Sequence, residues 1–320
     1  MEFIKNGMKK KAIIISIKGH QLSTKEKELL ANEKPWGLIL FKRNIKSLNQ
    51  IKKLIKKIRK LTKEPRFPIM IDEEGVAVSR LGKIINHNFS QKFLGDIYKI
   101  NNKIGLNFYK NYINNLTTFL KKIGININTV PVLDVLRKNT NKIIGNRSFS
   151  DDPDVVRTLG KICVKQYKLN KLATVMKHVP GHGLAKVDSH KLTPVVKKKI
   201  KYLYKNDFIP FKNKKTFFAM TAHVIYKDID PINTATHSPK IIKLIRKKIG
   251  FKNIIISDDI SMKGLKYSIK QNLNRALSAG CNLILHCNAN YSEMRTVAEN
   301  SPNVDNFIIQ KTSQFYKFLS

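Results

Sequence analysis

Between Lys177 and His190 the chain reads Lys177-His178-Val-Pro-Gly-His182-Gly, followed by Asp188-Ser-His190. Asp188 and His190, two apart, can set a carboxylate beside an imidazole. Such a partner fixes the ring tautomer and stabilises the imidazolium, as a proton-transferring histidine requires. Pro180-Gly-His-Gly183 cannot continue a helix, so a tight loop with exposed backbone is expected there. His178, His182, Asp188 and His190 also contain enough ligands for zinc. The Pro-Gly pair between the first two histidines denies them the helical i,i+4 geometry of a zinc-protease helix, so no metal is expected. His182 also reads as a hydrogen-bonded structural histidine.

A second constellation, Ser257-Asp258-Asp259-Ile-Ser-Met262, follows the apolar run Ile254-Ile-Ile256. A carboxylate at the end of a buried strand is costly unless it is paired or has a chemical role. Adjacent residues of an extended segment point to opposite sides, so one aspartate should face inward. A helix N-cap is the competing role. That role suits Asp259 or Ser261 and leaves Asp258 as the reactive group.

These residues need a scaffold. Short β-branched runs recur at Ala12–Ile17, Gly37–Phe41, Phe67–Ile71, Asn126–Val132, Ala173–Met176, Phe217–Ala222, Asn253–Ser257 and Cys281–Leu285. Their length and apolarity fit parallel strands buried on both faces. Helical spacing lies between them at Leu48–Leu61, Leu106–Ile123, Pro153–Asn170, Pro239–Ile249 and Ile269–Ala279. Eight strands alternating with helices predict an α/β fold, a (β/α)8 TIM barrel, with residues 1–320 as a single domain. A doubly wound open sheet is the alternative, but no GxGxxG follows the first strand. A TIM barrel builds its site at the C-terminal strand ends. Polar residues do follow six of the runs: Asp72, Glu73 and Glu74; Asp134 and later Arg147; the Lys177–His190 segment; His223; Asp258 and Asp259; and His286 with Asn288.

Composition bounds the rest. The formal net charge of +39 suggests anionic partners. The excess is mostly lysine among Ile and Asn, as in Ile51–Lys60, whereas phosphate-gripping and base-reading surfaces lean on arginine. The charge therefore reads as solvated helix faces, and nucleic acid is not an expected partner; a basic nucleic-acid-binding protein is the alternative from another functional class. Three cysteines, Cys163, Cys281 and Cys287, with no CxxC spacing, fit a reducing compartment and exclude a disulfide framework. The basic-apolar stretch Met8–Ile17 is too short for a signal peptide, and no run approaches the ~18 apolar residues of a membrane span. A soluble, cytoplasmic, monomeric protein without cofactor is expected.

The motifs together resemble glycoside hydrolase family 3, and within it the bacterial β-N-acetylglucosaminidases (β-hexosaminidases) of peptidoglycan recycling. The resemblance rests on Lys177–Gly183, Asp188-Ser-His190, Ile71-Asp-Glu-Glu-Gly75 with Arg80, Gly145-Asn-Arg-Ser-Phe149 and Ser257–Met262. Gly37–Arg43, Pro131–Asp134 and Thr221–His223 support it, and it is collinear from about Ile14 to Asn288. It implies that Asp258 is the nucleophile and His190 the general acid/base, with Asp188 its partner. Asp72, Arg80, Arg147, Lys177 and His178 would hold the sugar. The implied substrate is a terminal β-linked N-acetylglucosamine, as on anhydro-muropeptides, cleaved through a covalent intermediate with retention. Phosphorolysis and cleavage assisted by the substrate's acetamido group remain open alternatives. One loop departs from the family pattern: Val76-Ala77 stand where Gly-Arg is usual, which would alter local packing or the contact to the aglycone.

Overall fold

The computed structural model describes residues 10–86, 88–138 and 140–320, so Met8 and Lys9 of the N-terminal basic stretch lie outside the described residues. Eight parallel strands close into a barrel: β1 (Lys11–Ile15), β2 (Pro35–Leu40), β3 (Ile69–Ile71), β4 (Ile127–Asn128), β5 (Ala173–Val179), β6 (Phe218–Thr221), β7 (Ile254–Asp259) and β8 (Leu283–His286). Each pairs with its neighbours in sequence, and β8 returns to β1 with Ile13 opposite Ile284 and Ile14 opposite Leu285. The fold is the TIM barrel expected from the eight runs.

Strand alternation sorts the side chains. Ala12 and Ile14 of β1, Val175 of β5, Phe218 and Met220 of β6, and Ile254 and Ile256 of β7 fill the barrel interior. Ile13 and Ile15, Met176, Ala219 and Ile255 face the helices instead. Both faces are apolar, which is why these strands read as unbroken hydrophobic runs. Helix α2 (Leu48–Thr62) shows the matching pattern: Ile51, Leu54, Ile55 and Ile58 are buried, Ser47 caps its N-terminus, and its lysines point outward.

The N-terminal mouth of the barrel is plugged. The last helix, α10 (Asn306–Leu319), lays Phe315 against Trp36 and Phe218, with ring centroids 6.4 and 5.6 Å apart, and the Trp36 indole N–H donates to Thr312 Oγ1 at 2.8 Å. That hydrogen bond satisfies the one polar atom of a fully buried tryptophan. Solvent therefore enters from the C-terminal ends of the strands.

Several boundaries differ from the sequence reading. The run Asn126–Val132 pairs as a strand only at Ile127–Asn128, and Val132 rejoins Lys177 as an isolated bridge. Pro131 lacks the N–H that a continuous ladder needs. The segment Pro239–Ile249 begins as α7 (Pro239–Leu244) and widens into a π-helical turn at Ile245–Ile249. Neither Asp259 nor Ser261 caps a helix; the next one, α8 (Ile269–Ala279), is capped by Ser268. Helices α1 (Thr24–Glu33), α3 (Gln91–Ile100), α6 (Ile200–Lys205), α9 (Tyr291–Asn300) and α10 were not read from the sequence. The long helix α4 (Asn102–Ile123) begins four residues before its expected start, and α5 (Pro153–Leu169) matches closely.

Candidate active site

At the C-terminal mouth lies a cavity of about 400 Å³. That is the size of a pocket for a small ligand. Its walls carry every predicted site residue except Asp188: Asp72, Arg80, Arg147, Lys177, His178, His190 and Asp258. Asp188 stands behind one of them, its Oδ1 2.8 Å from His190 Nδ1 and accepting the His190 backbone N–H at 2.8 Å. Desolvation works against this carboxylate's charge, but the His190 N–H and ring outweigh it and hold its pKa below the ordinary value. With Nδ1 engaged, the ring's other nitrogen remains for chemistry. The imidazole is largely exposed, on the loop after β5.

Asp258 comes from the inward-facing register of β7, two residues beyond Ile256 and four beyond Ile254. Burial alone would raise its pKa. The imidazoles of His223 and His178, together with the Asp259 N–H on its Oδ1 at 2.8 Å, outweigh that and keep the carboxyl below its ordinary value. Asp259 moves the opposite way, its pKa raised by burial in spite of the hydrogen bonds from Ser261. Its oxygens accept from Ser261 N at 3.0 Å, Ser261 Oγ at 2.8 Å and Cys287 N at 3.0 Å. Both carboxyls border the cavity, but their environments diverge: Asp258 is held toward its charged form, while Asp259 is engaged by Ser261 and the Cys287 N–H.

The opposite wall is an ion-pair network. Asp72 Oδ2 accepts from Arg80 Nη2 at 2.9 Å, and its Oδ1 accepts from Lys177 Nζ at 3.1 Å and from the Thr129 hydroxyl. Glu74 takes Arg147 in a two-pronged grip, 2.7 Å from Nε and 2.9 Å from Nη2, and sits 2.6 Å from Lys177 Nζ. Burial would raise both acids; the facing cations prevail, holding Asp72 far below the carboxylate range and Glu74 at about 2. Arg80 lies over the Phe41 ring at 5.0 Å and Arg43 over the same ring at 4.6 Å. This wall presents charged acceptors and donors to a polyhydroxylated ligand without net exposure of an unpaired charge.

The Pro180–Gly183 loop is tight, as expected, but buried rather than exposed. Asp134, fully buried, accepts His182 N at 2.6 Å and His178 N at 3.3 Å. Gly183 lies so close to Val135 that a Cβ would sit 1.9 Å from its carbonyl oxygen. His182 keeps the structural role allowed for it: its Nε2 faces Ser189 Oγ at 3.3 Å, and burial lowers its pKa to about 4, leaving it neutral. His178 pairs with Asp134, His182 faces Ser189 and His190 pairs with Asp188, and among the described residues no group of three His, Cys, Asp or Glu is arranged to hold a metal.

The family-3 profile, the glycosyl hydrolase family 3 N-terminal domain, matches residues 8–312. This chain belongs to glycosyl hydrolase family 3. A β-hexosaminidase from Idiomarina loihiensis is 33% identical over 282 residues, 86% of this chain and 83% of its own length. Another from Psychromonas ingrahamii is 30% identical over 311 residues, 95% and 88% of the two chains. Native NagZ from Neisseria gonorrhoeae superposes with a TM-score of 0.85 at 28% identity, covering 98% of this chain and 90% of that one; the same protein has been solved with N-trifluoroacetyl-D-glucosamine. As a family-3 member, the chain is a glycosidase.

Within this family-3 barrel, the departure at Val76-Ala77 falls at the exposed tip of the Asp72 loop. Neither residue has positive φ, so the backbone there does not demand glycine. The sequence reading did not assign Glu74 and Asp134 to the site. Glu74 was visible only as one of three acids after β3, and Asp134 as a lone carboxylate after β4.

Proposed function

We propose that this chain is a retaining exo-β-N-acetylglucosaminidase, a single catalytic barrel domain acting on terminal β-linked N-acetylglucosamine. Peptidoglycan-derived anhydro-muropeptides in the cytoplasm are the proposed source, and the monomer is the proposed working unit. The observation that carries the reading is the meeting of Asp258 and the His190–Asp188 pair at one cavity whose far wall is the Asp72–Lys177–Arg80 network. The names of the β-hexosaminidases it resembles support the sugar.

In the first step the Asp258 carboxylate attacks the anomeric carbon, while protonated His190 delivers its proton to the departing glycosidic oxygen. In the second step neutral His190 takes a proton from water, which attacks the same carbon and releases Asp258, so two inversions give retention. A histidine suits this pair. It adds no negative charge beside Asp258 and exchanges a proton near neutral pH without extreme tuning. Asp72, Arg80, Arg147, Lys177 and His178 orient the sugar. The bidentate Arg147–Glu74 contact uses much of that guanidinium, so Arg147 acts partly by fixing the wall.

The test is proton NMR of the first anomer released from an aryl N-acetyl-β-glucosaminide, with and without phosphate. The β-anomer, formed at a phosphate-independent rate, is expected. The α-anomer as first product, or a sugar phosphate, overturns the mechanism.

A further inference from the structure

Behind Asp258, three fully buried side chains form a continuous hydrogen-bonded arc: Thr221, His223 and Thr236. The Asp258 N–H donates to Thr221 Oγ1 at 3.3 Å, Thr221 Oγ1 lies 2.8 Å from Thr236 Oγ1, and Thr236 Oγ1 lies 2.7 Å from His223 Nδ1. His223 Nε2 is 2.9 Å from the Asp259 carbonyl oxygen. The arc thus begins and ends on the same two residues, Asp258 and Asp259. With the ring neutral, its proton directions are fixed by chemistry. A carbonyl can only accept, so His223 Nε2 carries the proton and Nδ1 accepts from the Thr236 hydroxyl. Thr236 then receives the Thr221 hydroxyl proton, and Thr221 receives the Asp258 N–H.

We infer that Thr221, Thr236 and His223 are positioning residues that clamp the Asp258-Asp259 backbone and so aim the Asp258 carboxylate at the anomeric carbon. The inference rests on the reading of Asp258 as nucleophile. None of the three lines the cavity, so none can contact the sugar. Their polar groups, buried where apolar residues would pack, converge on the Asp258-Asp259 peptide, with the Thr236 hydroxyl also 3.3 Å from the Ala222 carbonyl. A nucleophile displaced by a fraction of an ångström loses near-attack geometry while the sugar-binding wall stays intact. The clamp should therefore act on the chemical step and not on binding.

The experiment compares wild type, Thr236→Val, Thr236→Ser, Thr221→Val and Asp258→Asn. It measures steady-state kinetics on an aryl N-acetyl-β-glucosaminide and the pre-steady-state rate of trapping by a 5-fluoro donor sugar. Thr236→Val and Thr221→Val should lower kcat and the trapping rate roughly tenfold to a hundredfold, with KM changed less than about threefold. Thr236→Ser, which keeps the hydroxyl, should return to within about threefold of wild type. Wild-type kcat in both valine variants, or an unrescued serine variant, overturns the clamp. A rise in KM equal to the fall in kcat does so as well, because that marks a collapsed pocket. If Thr236→Val does not fold, Thr221→Val, which removes the hydroxyl that bonds Asp258 N and Thr236 Oγ1 with little change in volume, decides the matter. Full activity in Asp258→Asn would instead overturn the nucleophile reading itself, an outcome distinct from any of these.

Discussion

His178 Nδ1 lies 2.7 Å from the Oδ2 of Asp134, a carboxylate with no exposure to solvent, while the rest of the ring borders the active-site cavity. Burial opposes the charge on Asp134, but the His178 ring and the His182 backbone N–H keep it ionised. The pairing engages Nδ1, fixes the ring's orientation and leaves Nε2 for the proposed contact to the sugar. Asp134→Asn preserves shape but weakens this charge-assisted grip. It is expected to lower kcat/KM for an aryl N-acetyl-β-glucosaminide by about ten- to a hundredfold, the cost of one hydrogen bond to a charged group. Steady-state kinetics check this, and an unchanged kcat/KM removes Asp134 from the site.

The two groups proposed to react should respond differently to substitution. Asp258→Asn keeps the cavity's shape but cannot form the glycosyl ester, so activity should be nearly abolished with every aryl leaving group. His190→Ala removes proton delivery and should cost on the order of 10²–10⁴ in kcat/KM with a poor leaving group. With a dinitrophenyl group, which leaves without protonation, most of the first-step loss should vanish. A series of phenols of graded acidity reads this directly; a His190→Ala defect independent of the phenol is incompatible with an acid catalyst.

How far the sequence foretold this molecule depended on the range of the interaction. The barrel was legible because parallel strands buried on both faces are written as short apolar runs, and β7 and α8 were located within a residue or two. Asp258 was legible for a local reason: a carboxylate directly after Ile254-Ile-Ile256 has few inexpensive explanations. The Asp188–His190 pair was legible because two residues of one loop make it. The Asp134 grip on His178 spans 44 residues and the Glu74 grip on Arg147 spans 73, so no local spacing announces either. Helix α1, Thr24–Glu33, buries only Glu26, Leu29 and Leu30, which leaves no apolar stripe to read. Tertiary packing also decided the Pro180–Gly183 loop: its composition suggests exposure, yet inside the protein its His182 N–H donates to Asp134 and its Gly181 N–H to the His178 carbonyl.

The Val76-Ala77 departure is expected to be nearly silent on simple substrates. Val76 is 54% exposed at the loop tip, and only its backbone is engaged, donating to the Phe89 carbonyl at 3.2 Å. The double variant Val76→Gly, Ala77→Arg should change kcat/KM for an aryl glycoside less than about threefold, as a surface exchange that touches no buried group. An extended aglycone would reach farther toward the loop, so any larger effect should appear only with a disaccharide substrate. A large change with the aryl glycoside would place these two positions in contact with the sugar.

Two buried acids should tilt stability with pH in opposite directions. Glu74 is held at about 2, below its ordinary 4.5, by Arg147 and Lys177 against the desolvation of burial. Its contribution is therefore complete above pH 4.5 and lost as pH falls toward 2. Asp207 is the reverse: burial raises its pKa to about 6 from 3.8, and the Arg137 guanidinium, 3.3 Å away, offsets only part of that rise. The folded protein then holds a proton that the unfolded chain releases. The stability this confers is complete below pH 3.8 and is lost as pH rises through 6. Asp207→Asn cannot ionise, so its Tm relative to wild type should climb between pH 4 and pH 7, by roughly 4–8 °C if most of the shift is expressed. Glu74→Gln should instead lower Tm at pH 7, since it leaves Arg147 and Lys177 short of a buried partner. Calorimetry of the three proteins across pH 4–7.5 measures both effects, and an Asp207→Asn curve parallel to wild type would show that Asp207 is ionised throughout.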